Sequence, residues 1–434
     1  MFGKHYIERE NGETIFSVDP RPIKFGVGAC RELAYEVKRL NMSKVAIFTD
    51  AITIGLEPCT FALESLDDAG IDYEVYSQTR VEPTDQSFQE ATQFLNNGQF
   101  DGLVSIGGGS VIDTAKAANL LHNYPADLLD YVNKPIGKAI PVPGKLMPHI
   151  ACPTTSGTGS ESTGVAVFDL VEQQVKTGIS SALMKPDMGI IDPSFTWGLP
   201  PLVTAATGFD VLTHAIESYT AVPFTERAKK SDPALRPPYQ GANPHSDSGS
   251  LEAIRLASTY LLRSVNHPKD KEARSAMMYA ATLAGISFGN AGVHVPHGMS
   301  YSVAGLIKDY YPQGWPQDHS MCPHGISVVV NAPAAFRFTA EALPERHWEA
   351  AQALGADMAG VDTNRGGEAL ASRMIELMRE CGIPNGLSAL GYSEADIPAL
   401  VEGAYKQQRL LVNSPRDVSK SDLADLYRNA MVYW

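Results

Sequence analysis

Side chains that could bind a divalent cation lie in three short segments in the second half of the sequence. The segments are GFDVLTHAIES with Asp210 and His214, HVPHGMSY with His294 and His297, and CPHG with His324. On a helix, a spacing of four residues places a carboxylate and an imidazole on one face, about one turn apart. Such a mixed set of oxygen and nitrogen ligands suits iron or zinc. Any one of these histidines could instead be a hydrogen-bonded core residue, but the three segments together favour a metal site.

Two segments rich in glycine and hydroxyl groups each follow a strand-like run. They are SIGGGSVIDTAK and PTTSGTGSE. Glycine lets a backbone approach a ligand closely, and free N–H groups at the start of a helix can bind a phosphate. GGGS does not have the GxGxxG spacing, so the first segment alone could be a tight turn without a ligand. Two such loops at the carboxyl ends of strands in one sheet would face the same crevice, which favours a nucleotide site.

Asp50 ends the strand-like segment VAIFTD. A carboxylate at that position accepts hydrogen bonds from ribose hydroxyls and repels a 2′-phosphate, which would favour NAD(H). A single Asp after a strand can equally cap the next helix. Both roles remain open.

The elements that must position these residues change in character along the chain. Between about residues 40 and 195, the strand-like runs VAIFTD, DYEVYS, GLVSI and HIACPTT alternate with helical spacing, as from Asp85 to Asn97 and from Val111 to Leu121. This alternation predicts a parallel sheet with crossover helices. GVAVFDL and KTGISS, separated by VEQQ, predict a hairpin.

Long helical patterns dominate after Pro193, as from Leu251 to Leu262 and from Glu272 to Ala284. We therefore expect an α/β dinucleotide-binding domain over residues 1–193 and an all-α domain over 194–434 that carries the metal and substrate sites. Residues 223–243 and 308–321, rich in proline and polar residues, are predicted to be loops.

Composition excludes several classes of protein. The 434 residues include 35 basic and 49 acidic ones, a net charge of -14, which would repel nucleic acid and anionic membranes. No apolar run reaches membrane-spanning length. The five cysteines are far apart and form no CxxC pair, so a disulfide framework or zinc knuckle is not expected. The N-terminal residues lack the pattern of a signal or import peptide, which predicts a cytoplasmic protein.

Five segments in the same order resemble the iron-containing (group III) alcohol dehydrogenases, from about Pro22 to the C-terminus. They are GGGSVIDTAK, PTTSGTGSE, GFDVLTHAIES, GNAGVHVPHGM and CPHGISVVV. Within that family, NAGVHVPHGMSY, RVEPTDQSF, RPPYQGANP and GYSEADIPALV resemble the hydroxyacid-oxoacid transhydrogenase branch. The resemblance implies an N-terminal dinucleotide-binding domain and a helical domain with the metal and substrate between them.

The resemblance also implies roles for individual residues. The metal ligands, for Fe²⁺ or Zn²⁺, would be Asp210, His214, His297 and His324. The family usually carries His-x3-His, whereas here His297 is followed by Tyr301, so the proton relay would pass to His294 or Tyr301. His294 would become the ligand if the alignment shifted. The NAD(H) contacts would be Asp50, Gly108, Gly109, Ser110, Thr154, Thr155, Thr158 and Lys176.

The expected activity is hydride transfer between an alcohol or hydroxy acid and NAD(H) by a homodimer or higher homo-oligomer. The branch implies that 4-hydroxybutyrate and 2-oxoglutarate are converted to succinic semialdehyde and 2-hydroxyglutarate. Candidate cations for the substrate carboxylates are Arg227, Lys230, Arg236 and Lys308.

Three other functions remain as alternatives. An ordinary NAD-dependent dehydrogenase acting on a small primary alcohol or 4-hydroxybutyrate would release its cofactor at each turnover. A phosphate-eliminating lyase similar to dehydroquinate synthase would need a basic phosphate clamp near the metal, and the sequence shows no such cluster. The third is a non-enzymatic protein that binds a metal or a nucleotide.

Overall fold

The computed structural model describes residues 5–173, 175–233 and 236–434. By packing, the chain divides into two compact units: Pro20–Leu199, and Pro200–Trp434 together with the N-terminal segment that ends at Asp19. That segment is attached by hydrogen bonds, among them Glu13 N to the Arg227 carbonyl at 2.7 Å. The packing places the division between the two units after Leu199. The predicted functional domains, 1–193 and 194–434, stay a proposal.

The first unit contains eight described strands: β1 Ile23–Phe25, β2 Lys44–Phe48, β3 Asp72–Tyr76, β4 Gly102–Gly107, β5 His149–Pro153, β6 Val165–Leu170, β7 Val175–Ser180 and β8 Met188–Ile191. Six of them form a parallel sheet in the order β1-β8-β5-β4-β2-β3, and β6 and β7 form an antiparallel hairpin. The predicted α/β fold is confirmed. β1 and β8 escape prediction because three and four residues are too short to show a period.

Helices cover both faces of this sheet, as a parallel sheet requires. They are α1 Leu33–Arg39, α2 Glu57–Ala69, α3 Asp85–Asn97, α4 Gly109–Asn123 and α5 Leu128–Tyr131. Alternate residues of a strand point to opposite faces. Val45 and Ile47 of β2 accordingly lie in one hydrophobic core with α1 and α2, and Ala46 and Phe48 lie in another with α3 and α4.

The second unit is helical. Its helices are α6 Pro201–Thr220, α7 Pro244–Asn266, α8 Lys271–Ala291, α9 Val295–Gly305, α10 His324–Val329, α11 Ala332–Thr339, α12 Pro344–Ala353, α13 Gly366–Glu380, α14 Ile397–Tyr405, α15 Gln408–Leu411 and α16 Lys420–Asn429. One continuous core joins them. Among the described residues, no helix combines the length and apolar character needed to cross a membrane.

The two predicted loops lie in this unit. Residues 223–243 connect α6 to α7, and residues 308–321 lie between α9 and α10. α7 begins where Asn243 forms a capping box with Ser246, each side chain bonding to the backbone N–H of the other. That cap ends the first loop.

Candidate active site

One face of α6 carries three ionisable residues that lie in the interior of the helical unit. Asp210, His214 and Glu217 follow one another at intervals of four and three residues, which places them on one face. They are 2%, 3% and 0% exposed, respectively. Gly325, on α10, permits the approach of its helix, since a Cβ there would lie 2.0 Å from the carbonyl oxygen of Ala206 on α6.

Two more helices each bring one imidazole to Asp210. His297 lies in the first turn of α9, and its Nε2 is 3.6 Å from Asp210 Oδ1. His324 begins α10, and its Nε2 is 3.7 Å from the same oxygen. His214 Nδ1 lies 3.6 Å from that oxygen as well. The four predicted ligands therefore meet, with one donor atom of each within 4.8 Å of all the others.

The donor atoms of this quartet suit a shared cation. Asp210 Oδ1, His214 Nδ1 and His297 Nε2 are buried without a hydrogen-bond partner among the described residues. Unpaired buried polar atoms are costly, so such a cluster indicates a missing partner. The 3.6–3.7 Å separations from Asp210 are too long for hydrogen bonds. They are close to the roughly 3.4 Å expected between tetrahedral ligands about 2.1 Å from one ion.

The pKa values of the residues in the quartet are strongly shifted. Burial acts to raise the pKa of Asp210, but the surrounding imidazoles more than offset it and hold that pKa well below its usual range. Burial lowers the pKa of His214 to about 3. For His297 burial also acts to lower the pKa, but the carboxylates of Glu217 and Asp210 dominate and raise it to about 9. An anion surrounded by imidazoles is an environment built for a cation.

Glu217 orients the His297 ring and was missed by the sequence-based prediction. Its Oε2 accepts a hydrogen bond from His297 Nδ1. Its Oε1 accepts from the backbone N–H groups of His294, at 2.8 Å, and His297, at 3.3 Å. The carboxylate thus satisfies free donors at the start of α9 and fixes the tautomer that leaves Nε2 available. The signal in the sequence was its position three residues after His214.

The two residues predicted to relay the proton, His294 and Tyr301, each contact a polar side chain outside the quartet. His294 is fully buried, its Nε2 lies 3.1 Å from Thr220 Oγ1, and burial lowers its pKa to about 4. Tyr301, 5% exposed, accepts a hydrogen bond from Arg409 at 2.8 Å. Their roles as relays stay predictions, and the full burial of His294 does not favour a route to solvent.

The two glycine-rich loops of the first unit are neighbours. β4 and β5 are adjacent and parallel, and Thr154 N donates to the Gly107 carbonyl at 3.0 Å. A Cβ on Gly109 would lie 2.6 Å from the Thr158 side chain, so any larger residue would separate the loops. The remaining predicted contacts are Gly108 and Ser110, at the start of α4, and Thr155, which packs beside Gly108. Both loops thus follow the carboxyl ends of adjacent parallel strands, which is where sheets of this kind bind dinucleotides.

A buried polar cluster supports the second loop and was also missed. Lys116 on α4 donates to Ser160 Oγ at 2.6 Å and to the Val165 carbonyl at 3.0 Å. Asp113, one turn earlier, accepts from Ser160 Oγ at 2.6 Å. The helix that begins at GGGS therefore holds PTTSGTGSE in place. Asp and Lys three residues apart on an otherwise apolar helix face were the available signal.

Asp50 and Lys176, both predicted to contact the cofactor, each already have partners within the protein. Asp50 Oδ1 accepts from the backbone N–H groups of Ile52 and Thr53, both at 2.9 Å, which is the capping geometry. The carboxylate is partly exposed and has further lone pairs for a ribose hydroxyl. Lys176 is 4% exposed and pairs with Glu82 at 2.5 Å and Asp169 at 3.1 Å. Its predicted contact with the ribose stays a prediction.

Three of the four candidate cations for substrate carboxylates are engaged elsewhere. Arg227 donates to Asn413 Oδ1 at 2.5 Å, Arg236 pairs with Glu13 at 3.0 Å, and Lys308 pairs with Asp396. The fourth, Lys230, is exposed.

Comparison with known proteins covers nearly the whole chain. Residues 20–193 match the family model for iron-containing alcohol dehydrogenase, and residues 239–431 match the model for the C-terminal part of that family. A relative from Bos taurus, named hydroxyacid-oxoacid transhydrogenase, mitochondrial, is 47% identical over 418 residues, 96% of this chain and 90% of its own.

Solved structures with the same fold are more distant in sequence. A 1,3-propanediol oxidoreductase superposes with a TM-score of 0.84 at 28% identity, covering 96% of this chain and 100% of its own. A sulfoacetaldehyde reductase from Bifidobacterium kashiwanohense, in complex with NAD+, superposes with a TM-score of 0.77 at 25% identity, covering 96% and 99%.

The predicted cytoplasmic location is wrong. Curated relatives that match over nearly the whole chain are named mitochondrial proteins. The five cysteines are all buried and form no disulfide among the described residues. Reduced cysteines indicate a reducing environment but do not distinguish one reducing compartment from another.

Proposed function

Because this chain belongs to the family of iron-containing alcohol dehydrogenases, it is an oxidoreductase, and we propose that it is a hydroxyacid-oxoacid transhydrogenase. The reaction would convert 4-hydroxybutyrate and 2-oxoglutarate to succinic semialdehyde and 2-hydroxyglutarate. The observation that carries the proposal is the convergence of Asp210, His214, His297 and His324 on one point. The name of the relative from Bos taurus supports acids as the substrates. Assembly as a homo-oligomer stays a prediction.

The family implies a metal and NAD(H), and we propose Fe²⁺ as the metal, with Zn²⁺ as the other cation that these ligands accept. When bound, the cation polarises the substrate oxygen and the nicotinamide carries the hydride. His297 contributes Nε2 because Glu217 holds the proton on Nδ1. Asp210, His214 and His297 are buried, which strengthens the electrostatic interactions among them, whereas His324 is partly exposed.

We propose that the two adjacent loops bind the dinucleotide phosphates. The backbone of Gly108, Gly109 and Ser110 begins a 15-residue helix, whose N-terminus attracts anions. Thr155 and Thr158 are partly exposed beside it, and their hydroxyl groups can donate hydrogen bonds to a phosphate. Thr154 is buried, and its backbone N–H donates a hydrogen bond to the neighbouring strand. Asp50 would accept from the ribose while it continues to cap the turn after β2.

Metal analysis and an absorption spectrum of the purified protein test this proposal together. We expect about one divalent cation per chain and, if the cofactor stays bound between half-reactions, a retained nicotinamide absorbance near 340 nm after reduction with 4-hydroxybutyrate. Protein with neither a metal nor reduction of added NAD+ by any hydroxy acid would refute the proposal. Reduction that depends wholly on added NAD+ would instead identify an ordinary dehydrogenase.

A further inference from the structure

Arg409, on α15, is a partly exposed arginine that lies against two phenols. Its Nη2 donates to the Tyr301 hydroxyl at 2.8 Å, and its guanidinium also bonds to Tyr239. Within residues 5–173, 175–233 and 236–434, no carboxylate forms an ion pair with it. A guanidinium has five N–H donors, and a carboxylate takes two of them in a parallel pair. The two phenols therefore leave N–H donors of the guanidinium for a carboxylate from outside the chain.

Arg346 shows how the same unit pairs the charge of a buried arginine. It is 1% exposed, forms an ion pair with Asp247, and donates from Nε to the Tyr219 carbonyl at 2.5 Å. A buried positive charge normally needs such a partner. Arg409 is partly exposed and its partners are neutral phenols, which is the arrangement expected of a site that receives an anion.

Arg409 also lies close to the metal ligands. Tyr301 follows His297 by four residues on α9, so the two side chains are roughly one helical turn, about 5–6 Å, apart. Gly298 brings the helices together, since a Cβ there would lie 2.8 Å from the side chain of Leu411 on α15. The guanidinium is thus bonded to a side chain on the same face of α9 as the ring that we propose as a ligand.

We propose that Arg409, oriented by Tyr301 and Tyr239, binds the carboxylate that lies far from the reacting carbon of the substrate. This inference rests on the proposed function. In 4-hydroxybutyrate and in 2-oxoglutarate, the same two methylene groups separate the reacting carbon from that carboxylate. One arginine at a fixed distance from the metal therefore serves the hydroxy acid and the oxo acid in turn.

The sequence supports the same assignment. Tyr301 occupies the position where the resemblance places a second histidine, and Tyr239 lies in RPPYQGANP. Both phenols that hold Arg409 thus come from segments in which the chain resembles the transhydrogenase branch. A phenol, unlike an imidazole, cannot become a second cation beside Arg409, and its oxygen accepts a hydrogen bond from the guanidinium.

The test compares Arg409→Gln with wild type on two alcohols, 4-hydroxybutyrate and 1-butanol, with NAD+ added. We expect the variant to raise KM for 4-hydroxybutyrate by roughly 10- to 100-fold. KM for 2-oxoglutarate, measured as its reduction with added NADH, should rise by a similar factor. KM for 1-butanol and the metal content should change little. Arg428→Gln, which removes an exposed charge paired with Asp425, is the matched control and should behave as wild type.

Equal losses on both alcohols, or no loss on either, would overturn the assignment of Arg409. If wild type itself oxidises 1-butanol but no hydroxy acid, the proposed function fails, which is a separate result. If Arg409→Gln does not fold, Arg409→Lys and Tyr239→Phe replace it. Each should raise KM for 4-hydroxybutyrate by a smaller factor and leave KM for 1-butanol unchanged, and wild-type values in both would equally overturn the inference.

Discussion

Glu217 accepts a hydrogen bond from Nδ1 of His297, while Nε2 of the same ring faces Asp210 Oδ1 at 3.6 Å. The ring is therefore fixed at one nitrogen and available at the other. A carboxylate placed behind a ligating imidazole raises the basicity of the ligand and holds its orientation. This relationship connects α6 to α9 and underlies the first prediction.

Glu217→Gln should lower metal affinity about 10- to 100-fold, because it removes the charge behind His297 while preserving the shape of the side chain. Competition with a chelator, followed by elemental analysis, measures the change. Glu368→Gln removes a carboxylate paired with Arg337 on the exterior and serves as the control. Equal metal retention by Glu217→Gln and wild type would show that the carboxylate only caps α9.

Variants of His297, His324 and His294 distinguish ligands from their neighbours. His297→Ala and His324→Ala should each lose the metal and nearly all activity while retaining wild-type circular dichroism. His294→Ala should keep the metal, since its Nε2 is already bonded to Thr220. If His294→Ala lost the metal and His297→Ala retained it, the alignment shifted by one turn would be correct.

The choice between NAD(H) and NADP(H) tests Asp50. Asp50→Asn keeps an oxygen for the backbone N–H groups of Ile52 and Thr53 but loses the charge that repels a 2′-phosphate. We expect the ratio of kcat/KM for NAD+ over NADP+ to fall about tenfold or more, with little change in Tm. Asp101→Asn, whose carboxylate bonds to Ser43 and Lys44, is the control. An unchanged ratio would reduce Asp50 to a cap.

The stability of the first unit should depend on the protonation of His149. Burial, assisted by the Lys116 charge, lowers its pKa to about 3. As the pH falls below about 6.5, the unfolded chain binds a proton that the folded His149 does not, so the free energy of unfolding decreases. We expect His149→Gln to lose less stability between pH 7 and pH 5, by on the order of 1–2 kcal/mol.

Urea unfolding of wild type and His149→Gln at the two pH values measures this difference. Gln can still bond to Ser105, which lies 2.8 Å from His149 Nε2. His267→Gln, at an exposed histidine, is the matched control. Identical pH dependence in wild type and His149→Gln would contradict the assignment.

The sequence predicted most of the fold because its signals are local. Strand-like runs alternate with helical spacing, and α3 occupies the predicted range from Asp85 to Asn97 because Thr84 and Ser87 form a capping box at its start. The four proposed ligands could be singled out because their types and motifs are distinctive. Only the packing of three helices could show that their donor atoms converge.

Residues that act through distant partners were missed. Glu217 lies 80 residues from His297, and Arg409 lies 108 residues from Tyr301. No periodicity links such pairs. The partners of Arg409 are phenols, so no pattern of opposite charges marks it either. Conversely, Arg236 and Lys308 are charged as a substrate site requires, but each already has a carboxylate partner.

We propose that one site reduces and reoxidises the same bound cofactor. Purified protein, without added NAD(H), is mixed with 4-hydroxybutyrate and 2-oxoglutarate, and both products are followed by chromatography. We expect succinic semialdehyde and 2-hydroxyglutarate to form in equal amounts over many turnovers, with ping-pong kinetics. Product that forms only after NAD+ is added, with free NADH accumulating from 4-hydroxybutyrate alone, would contradict it.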